Sequence, residues 1–128
     1  MKSFFESRFR SFGHAFDGWS YVFRTQHNAW IHGGIALSVL AAGLWVKLPA
    51  SEWAVIVLTA ALVFVAEFIN TSIEAVVDLA SPAQHPLAKI AKDVAAAAVL
   101  ISALAAIAIG LLILGPRLWE KYIVLLNA

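Results

Sequence analysis

The chain has 128 residues, of which 62% are hydrophobic and 13% charged, with a net charge of +1, no cysteine and a mean hydropathy of +0.83. A domain this small cannot hide so much apolar surface inside itself, and soluble domains carry about a quarter charged residues, so a soluble fold is excluded and lipid or sister subunits must cover part of it. The near-neutral charge removes an electrostatic case for nucleic acid, and the missing cysteines remove disulfides, thiolate metal sites and cysteine nucleophiles.

The first 28 residues hold four basic and two acidic side chains with aromatics between them and no apolar core, so no cleaved signal is expected and insertion should use retained segments. Within this stretch Phe5, Phe9, Phe12, Phe16, Trp19 and Phe23 recur at intervals of three and four, the spacing of one helix face. Arg10, His14, Asp17 and Arg24 fall mostly on the other side. The pattern predicts an amphipathic helix over about 3–24 lying along a membrane surface, or packed on protein.

Three spans follow, at about 29–47, 52–79 and 88–115, each near the 20 or so apolar residues that cross a bilayer. The first carries no charge between Ala29 and Val46. The second is uncharged from Trp53 to Ala66 and acidic beyond. The third is uncharged from Val94 to Pro116. Lys47-Leu-Pro-Ala-Ser-Glu52 reads as a turn with Ser51 as the N-cap of the second span. The prolines Pro82 and Pro86 must end the second helix, and Gly115-Pro116 is expected to stop the third. Counting basic residues in the flanks gives six on the side of the N-terminus and the 80–93 loop (Lys2, Arg8, Arg10, Arg24, Lys89, Lys92) against three on the other (Lys47, Arg117, Lys121). The positive-inside rule then places the N-terminus and that loop in the cytoplasm. The reading is an all-α membrane protein in a single domain, 1–128.

The second span carries the feature that composition cannot explain. Glu67, Asn70, Glu74 and Asp78 are spaced 3, 4 and 4 apart, one face of a helix, with Thr71 beside them. A carboxylate at a helix centre costs roughly 2.5–3.5 kcal/mol on insertion scales, and like charges one or two turns apart repel. Such a stripe must face a cation, a cavity or another subunit. A helix end that simply projects into water suits Asp78, beside the proline loop, suits Glu74 less well and Glu67 poorly. The short loop makes the second and third spans antiparallel neighbours, which brings Lys92 and Asp93 to the depth of Glu74 and Asp78. Oxygen ligands of this kind suit Mg²⁺ held by one or two carboxylates together with substrate phosphates, and a lysine is a point-charge partner for phosphate. Lys92 and Asp93 can also be read as a snorkelling lysine and an acid at a helix start. His14, His27, His32 and His85 read as interfacial or capping residues rather than metal ligands. No P-loop or other Gly-rich phosphate motif is present.

The run Glu67-Phe-Ile-Asn70-Thr-Ser-Ile-Glu74-Ala-Val-Val-Asp78 resembles the signature of the prokaryotic diacylglycerol kinase family, which includes undecaprenol kinases. His85-Pro-Leu-Ala-Lys-Ile-Ala-Lys92-Asp93 is similar to the segment that follows it there, and Ser11-Phe12, Ala15, Gly18, Asn28 and Ile31-His32 fit the pattern upstream. The resemblance implies a homotrimer of three-span subunits with an N-terminal surface helix and active sites between subunits at the cytoplasmic face. There MgATP would donate its γ-phosphoryl group to the hydroxyl of a membrane lipid alcohol, diacylglycerol or undecaprenol. It implies Glu67 as catalytic base, Glu74 as Mg²⁺ ligand, Asn70 as support, Lys92 and Asp93 at the nucleotide, His85 near its base or ribose, and His14 in the nucleotide-contacting set. One departure stands out. Gln26-His-Asn28-Ala-Trp30-Ile-His32 places Gln26 where many members have a second metal-binding Glu, and Trp30 where an Arg is common. Gln26 can offer an amide oxygen to the metal but no charge. Ile90 likewise replaces a common basic residue. Two alternatives stay open at this level: a small oligomeric proton-coupled transporter, and a non-catalytic relative of the kinases.

Overall fold

In a computed structural model the chain is all-α, and residues 2–81, 83 and 85–127 are described, with side chains from residue 8 onward. Among the described residues four helices follow one another: α1 (Lys2–Thr25), α2 (His27–Val46), α3 (Ala50–Ala80) and α4 (Pro86–Leu126). The last three are long and apolar enough to cross a membrane. At 1.5 Å per residue the 20 residues of α2 measure about 30 Å, the thickness of a hydrocarbon core, whereas the 31 of α3 reach about 46 Å and the 41 of α4 about 61 Å. The longer two project past α2.

Helices α3 and α4 are antiparallel neighbours and form the principal contact of the fold, with α2 against both and α1 against α2. The apolar core sits at the end of the bundle that bears the α2–α3 turn. Leu48, Ile56 and Leu114 are buried there, packed by Val39, Val46, Trp53, Ile113 and Leu118. At that same end Arg117 on α4 donates to Glu52 on α3 at 2.7 Å. The polar stripe lies toward the other end, near the loop that joins α3 to α4.

The α2–α3 turn is a Schellman cap. Leu48 N–H bonds the Gly43 carbonyl at 3.0 Å, Lys47 N–H bonds the Leu44 carbonyl at 3.3 Å, and Lys47 takes the left-handed conformation (φ 58°, ψ 56°) usually left to glycine. Gly43 lets the two helices close on each other here. A Cβ at this position would stand 2.8 Å and 2.9 Å from the Trp53 ring and 3.0 Å from Leu48 Cδ1. Gly43→Ala should therefore destabilise the protein, because an overpacking cost of about 1–3 kcal/mol exceeds the gain in helix propensity of roughly 1 kcal/mol. A lower midpoint of thermal unfolding in detergent checks this.

Two sequence expectations are corrected. Ser51 is not the N-cap of α3. The helix begins at Ala50, and Pro49, extended at φ −70° and ψ 159°, takes the cap position without a side-chain bond. Proline has its φ fixed near the value needed to enter a helix, which brings the start forward. Gly115-Pro116 does not stop α4, which runs through Pro116 to Leu126. The ring removes one backbone bond, but Leu114 before it is buried in the core and Leu118 packs there beyond it, with Arg117 tied to Glu52. Tertiary contacts on both sides of the proline hold the helix line.

The aromatic face of α1 divides. Phe9, Phe12 and Phe16 are exposed, and Phe5 lies outside the described side chains. Trp19, itself half exposed, and Phe23 also pack on protein: Trp19 lies 5.2 Å from Phe68 and 6.2 Å from Phe64 between ring centroids, and Phe23 lies 6.3 Å from Phe64. α3 ends at Ala80, before the proline loop; Pro82 itself lies outside the described residues.

Candidate active site

The chain breaks its helix at one residue between α1 and α2. Gln26 is extended (φ −106°, ψ 110°). The break is held from both sides. Gln26 N–H bonds the Val22 carbonyl at 2.8 Å, and Trp30 Nε1–H donates across the break to the Phe23 carbonyl at 2.7 Å, satisfying an orphan acceptor at the end of α1. Val22 and Ala29, which flank the break, are buried. Trp30, placed by resemblance where an Arg is common, acts here as a cap.

This break aims Gln26 at the stripe on α3. Gln26 Nε2 donates to Glu74 Oε2 at 3.1 Å, and Asn70 Nδ2 donates to Glu74 Oε1 at 3.4 Å. The Glu74 carboxylate thus sits between two amide donors, one from the α1–α2 break and one from α3 itself. Asn70 is buried, and its Oδ1 has no hydrogen-bond partner among the described residues.

Glu67 lies seven residues further along α3, about 10 Å deeper along the axis. It is 1% exposed, the most deeply buried large side chain among the described residues, and neither carboxylate oxygen has a hydrogen-bond partner there. Thr71, also buried, spends its hydroxyl on the Glu67 backbone carbonyl at 2.9 Å. His32 on α2, half-buried, is close enough to act electrostatically on Glu67. A buried polar group without a partner is costly, and no hydrogen bond from the described residues offsets that cost for Glu67.

At the loop end the stripe meets α4. Lys92 pairs with Asp78 and Lys89 with Asp93, each at 2.5 Å. Together with Ser81 and His85, Asp78, Lys89 and Lys92 line an open cleft of about 660 Å³. His85 caps α4, its Nδ1 accepting from Leu87 N–H at 3.2 Å. His14 is exposed on α1, about three turns before Gln26.

The predicted cluster therefore resolves into three levels along α3. Glu67 is innermost, Glu74 comes next with Gln26 and Asn70, and Asp78 is outermost with Lys92. Asp93 does not join the Glu74 group; it turns to Lys89 and is 61% exposed. Asp78 is solvated as expected but also ion-paired, which the short loop could have indicated. The sequence gives no sign of the His32–Glu67 approach, since facing residues on α2 and α3 are 35 positions apart and no motif links them.

The oxygen chemistry of the middle level can be tested against Mg²⁺. Glu74 offers one carboxylate, and Asn70 Oδ1 is a buried oxygen without a partner. Among the described residues no group of three or more His, Cys, Asp or Glu is close enough to cage a metal. Such a sparse hard-oxygen set fits Mg²⁺, which keeps waters and takes much of its coordination from substrate phosphates.

The model of the prokaryotic diacylglycerol kinase family matches residues 13–114, most of the chain and every residue of the three levels. The chain belongs to the prokaryotic diacylglycerol kinase family. This member of a lipid kinase family is 46% identical over 109 residues to a diacylglycerol kinase of Synechocystis sp., a match over 84% of this chain and 62% of that protein. It is 44% identical over 110 residues to the undecaprenol kinase of Bacillus subtilis, over 86% and 89% of the two chains. A diacylglycerol kinase of Helicobacter pylori is 35% identical over 105 residues, covering 77% of this chain and 75% of its own length. Against the first of these, the kinase-family member described here spans less than two thirds of its relative's length.

Proposed function

We propose that this protein transfers the γ-phosphoryl group of ATP to the hydroxyl of a membrane lipid alcohol, with Glu67 as the base. The observation that carries this reading is the buried Glu67 carboxylate, without a hydrogen-bond partner among the described residues, set about 10 Å deeper than Glu74 on one helix face. A lipid hydroxyl must be met at membrane depth and a nucleotide at the water boundary, and the stripe spans that interval.

In the reaction the lipid hydroxyl oxygen attacks the γ-phosphorus, the bond from that phosphorus to the β,γ-bridging oxygen breaks, and ADP leaves. Glu67 accepts the hydroxyl proton. Burial away from water favours such transfer over a fully solvated carboxylate. Phosphoryl transfer otherwise needs positioning and charge neutralisation. Mg²⁺, when bound, supplies part of that neutralisation, with Glu74 as its ligand and Asn70 Oδ1 in support. Lys92 supplies another part. Its pair with Asp78 is exposed, and exposed pairs contribute about 1 kcal/mol or less, so phosphate can displace Asp78 at little cost. Gln26 stands beside Glu74, and His85, Lys89, Asp93 and His14 lie on the nucleotide's side.

The exposed ridge Phe9, Phe12 and Phe16 suits a helix resting in the headgroup region, with the N-terminus and the α3–α4 loop on the cytoplasmic side as the basic residues suggest. The homotrimer implied by resemblance would cover the apolar flanks that one chain leaves open. The lipid is diacylglycerol or undecaprenol. Purified protein given radiolabelled ATP and each lipid in parallel tests the reading. Mg²⁺-dependent labelling of one lipid is the expected result; proton-coupled flux without lipid labelling would replace the kinase with a transporter.

A further inference from the structure

Both oxygens of the Glu74 carboxylate are engaged by side-chain amides. Its two oxygens accept from two neutral amides, Gln26 Nε2 at 3.1 Å and Asn70 Nδ2 at 3.4 Å. Gln26 is fixed for this by the backbone rather than by its own side chain. It occupies the single extended residue between α1 and α2, and that break is locked by the Trp30–Phe23 bond and by buried Ala29. The amide presents its nitrogen, the end that donates, and not its oxygen to Glu74. Hydrogen bonds to a charged acceptor are about twice as strong as neutral ones. The next carboxylate along the stripe, Glu67, makes no bond to this group.

We propose that Gln26 is a positioning residue that holds Glu74 in its working orientation in the absence of divalent metal, so that the site takes up Mg²⁺ only together with the nucleotide phosphates. The inference takes the Glu74 site of the proposed kinase as its setting and adds the order of assembly. One carboxylate flanked by amides is a poor trap for a free hydrated Mg²⁺, which binds through several hard oxygens and gives up its waters reluctantly. The same carboxylate, already oriented, is a good third party once triphosphate oxygens bring the ion. A carboxylate at position 26 would reverse the logic. Two acids about 3 Å apart repel strongly, and only a cation between them would relieve the repulsion.

The test measures metal binding and stability of the purified full chain without lipid, nucleotide or turnover. Wild type, Gln26→Glu and Gln26→Leu are titrated with Mn²⁺ alone, followed by the electron spin resonance of the free ion, and are melted in EDTA and in Mg²⁺. The wild type is expected to melt at the same temperature in both and to leave Mn²⁺ free where Gln26→Glu binds it, with affinity in Gln26→Glu tighter by about tenfold or more. Gln26→Glu should melt lower than wild type in EDTA and recover in Mg²⁺; Gln26→Leu should melt lower in EDTA and not recover. The recovery of Gln26→Glu reads the second carboxylate it introduces, and the fall of Gln26→Leu in EDTA reads the loss of the native bond to Glu74. The proposal is overturned if wild type binds Mn²⁺ alone as tightly as Gln26→Glu. It is equally overturned if Gln26→Leu melts in EDTA where wild type does, a comparison that decides the matter even when Gln26→Glu does not fold. Lipid labelling is scored separately. The expected melting pattern in a protein that labels no lipid would cost the kinase reading and keep this one.

Discussion

Replacing Glu67 by Gln should lower the rate of lipid phosphorylation by about 10²–10⁴-fold, the usual contribution of a general base, while leaving the fold intact. The side chain is 1% exposed and neither oxygen has a hydrogen-bond partner among the described residues. An amide of the same shape therefore fills the same space and breaks no bond. The variant should melt no lower than wild type and should still bind ATP. Radiolabel transfer from ATP to lipid, read beside a thermal melt, separates the two effects. Labelling at the wild-type rate would remove Glu67 from the reaction.

Glu74→Ala is expected to act on both activity and stability. It removes the carboxylate assigned to Mg²⁺, and loss of one group that neutralises transferring phosphoryl charge typically costs about 10²–10³-fold in rate. It also strands Gln26 Nε2 and Asn70 Nδ2, both of which donate to this carboxylate. A buried donor left unpaired costs about 1–3 kcal/mol, so this variant should melt lower than wild type. Glu74→Gln keeps an acceptor oxygen and should recover part of the stability but little of the rate. Titration of activity with Mg²⁺ at fixed ATP checks the assignment, since both variants should need more metal. An unchanged Mg²⁺ requirement would move the metal elsewhere.

The helices were legible because their signals are local. Charge-free runs of membrane length mark α2, α3 and α4, and the three- and four-residue aromatic spacing marks α1. The stripe was legible for the same reason, as residues 67, 70, 74 and 78 share a face by helical geometry alone. What could not be read depended on contacts between distant segments. Pro116 breaks helices by its covalent structure, and only the packing of Leu114 and Leu118 and the Arg117–Glu52 bond explain why α4 continues. Sequence assigned Ser51 a cap by residue type; Pro49, two residues earlier, holds the helix start by its backbone. His32 gained its place beside Glu67 from the pairing of α2 with α3. The division of the α1 ridge, with Trp19 and Phe23 on α3 and Phe9, Phe12 and Phe16 free, reflects where α3's aromatics Phe64 and Phe68 happen to stand.

The Schellman turn at Lys47 has an effect far from where it sits. It fixes how α2 is registered against α3, and Gly43 against Trp53 locks that register with contacts that admit no extra methyl group. From there α2 runs back as a rod of set length, and its first residue follows the one that reaches Glu74. The turn thus works as the zero mark of a ruler whose other end reads out at the Glu74 carboxylate. Adding one residue within α2, between Gln26 and Gly43, would slide Gln26 by about 1.5 Å and swing it by about 100° around the helix axis. The alignment of the polar group is therefore set a full membrane thickness away, by a turn that carries none of the chemistry.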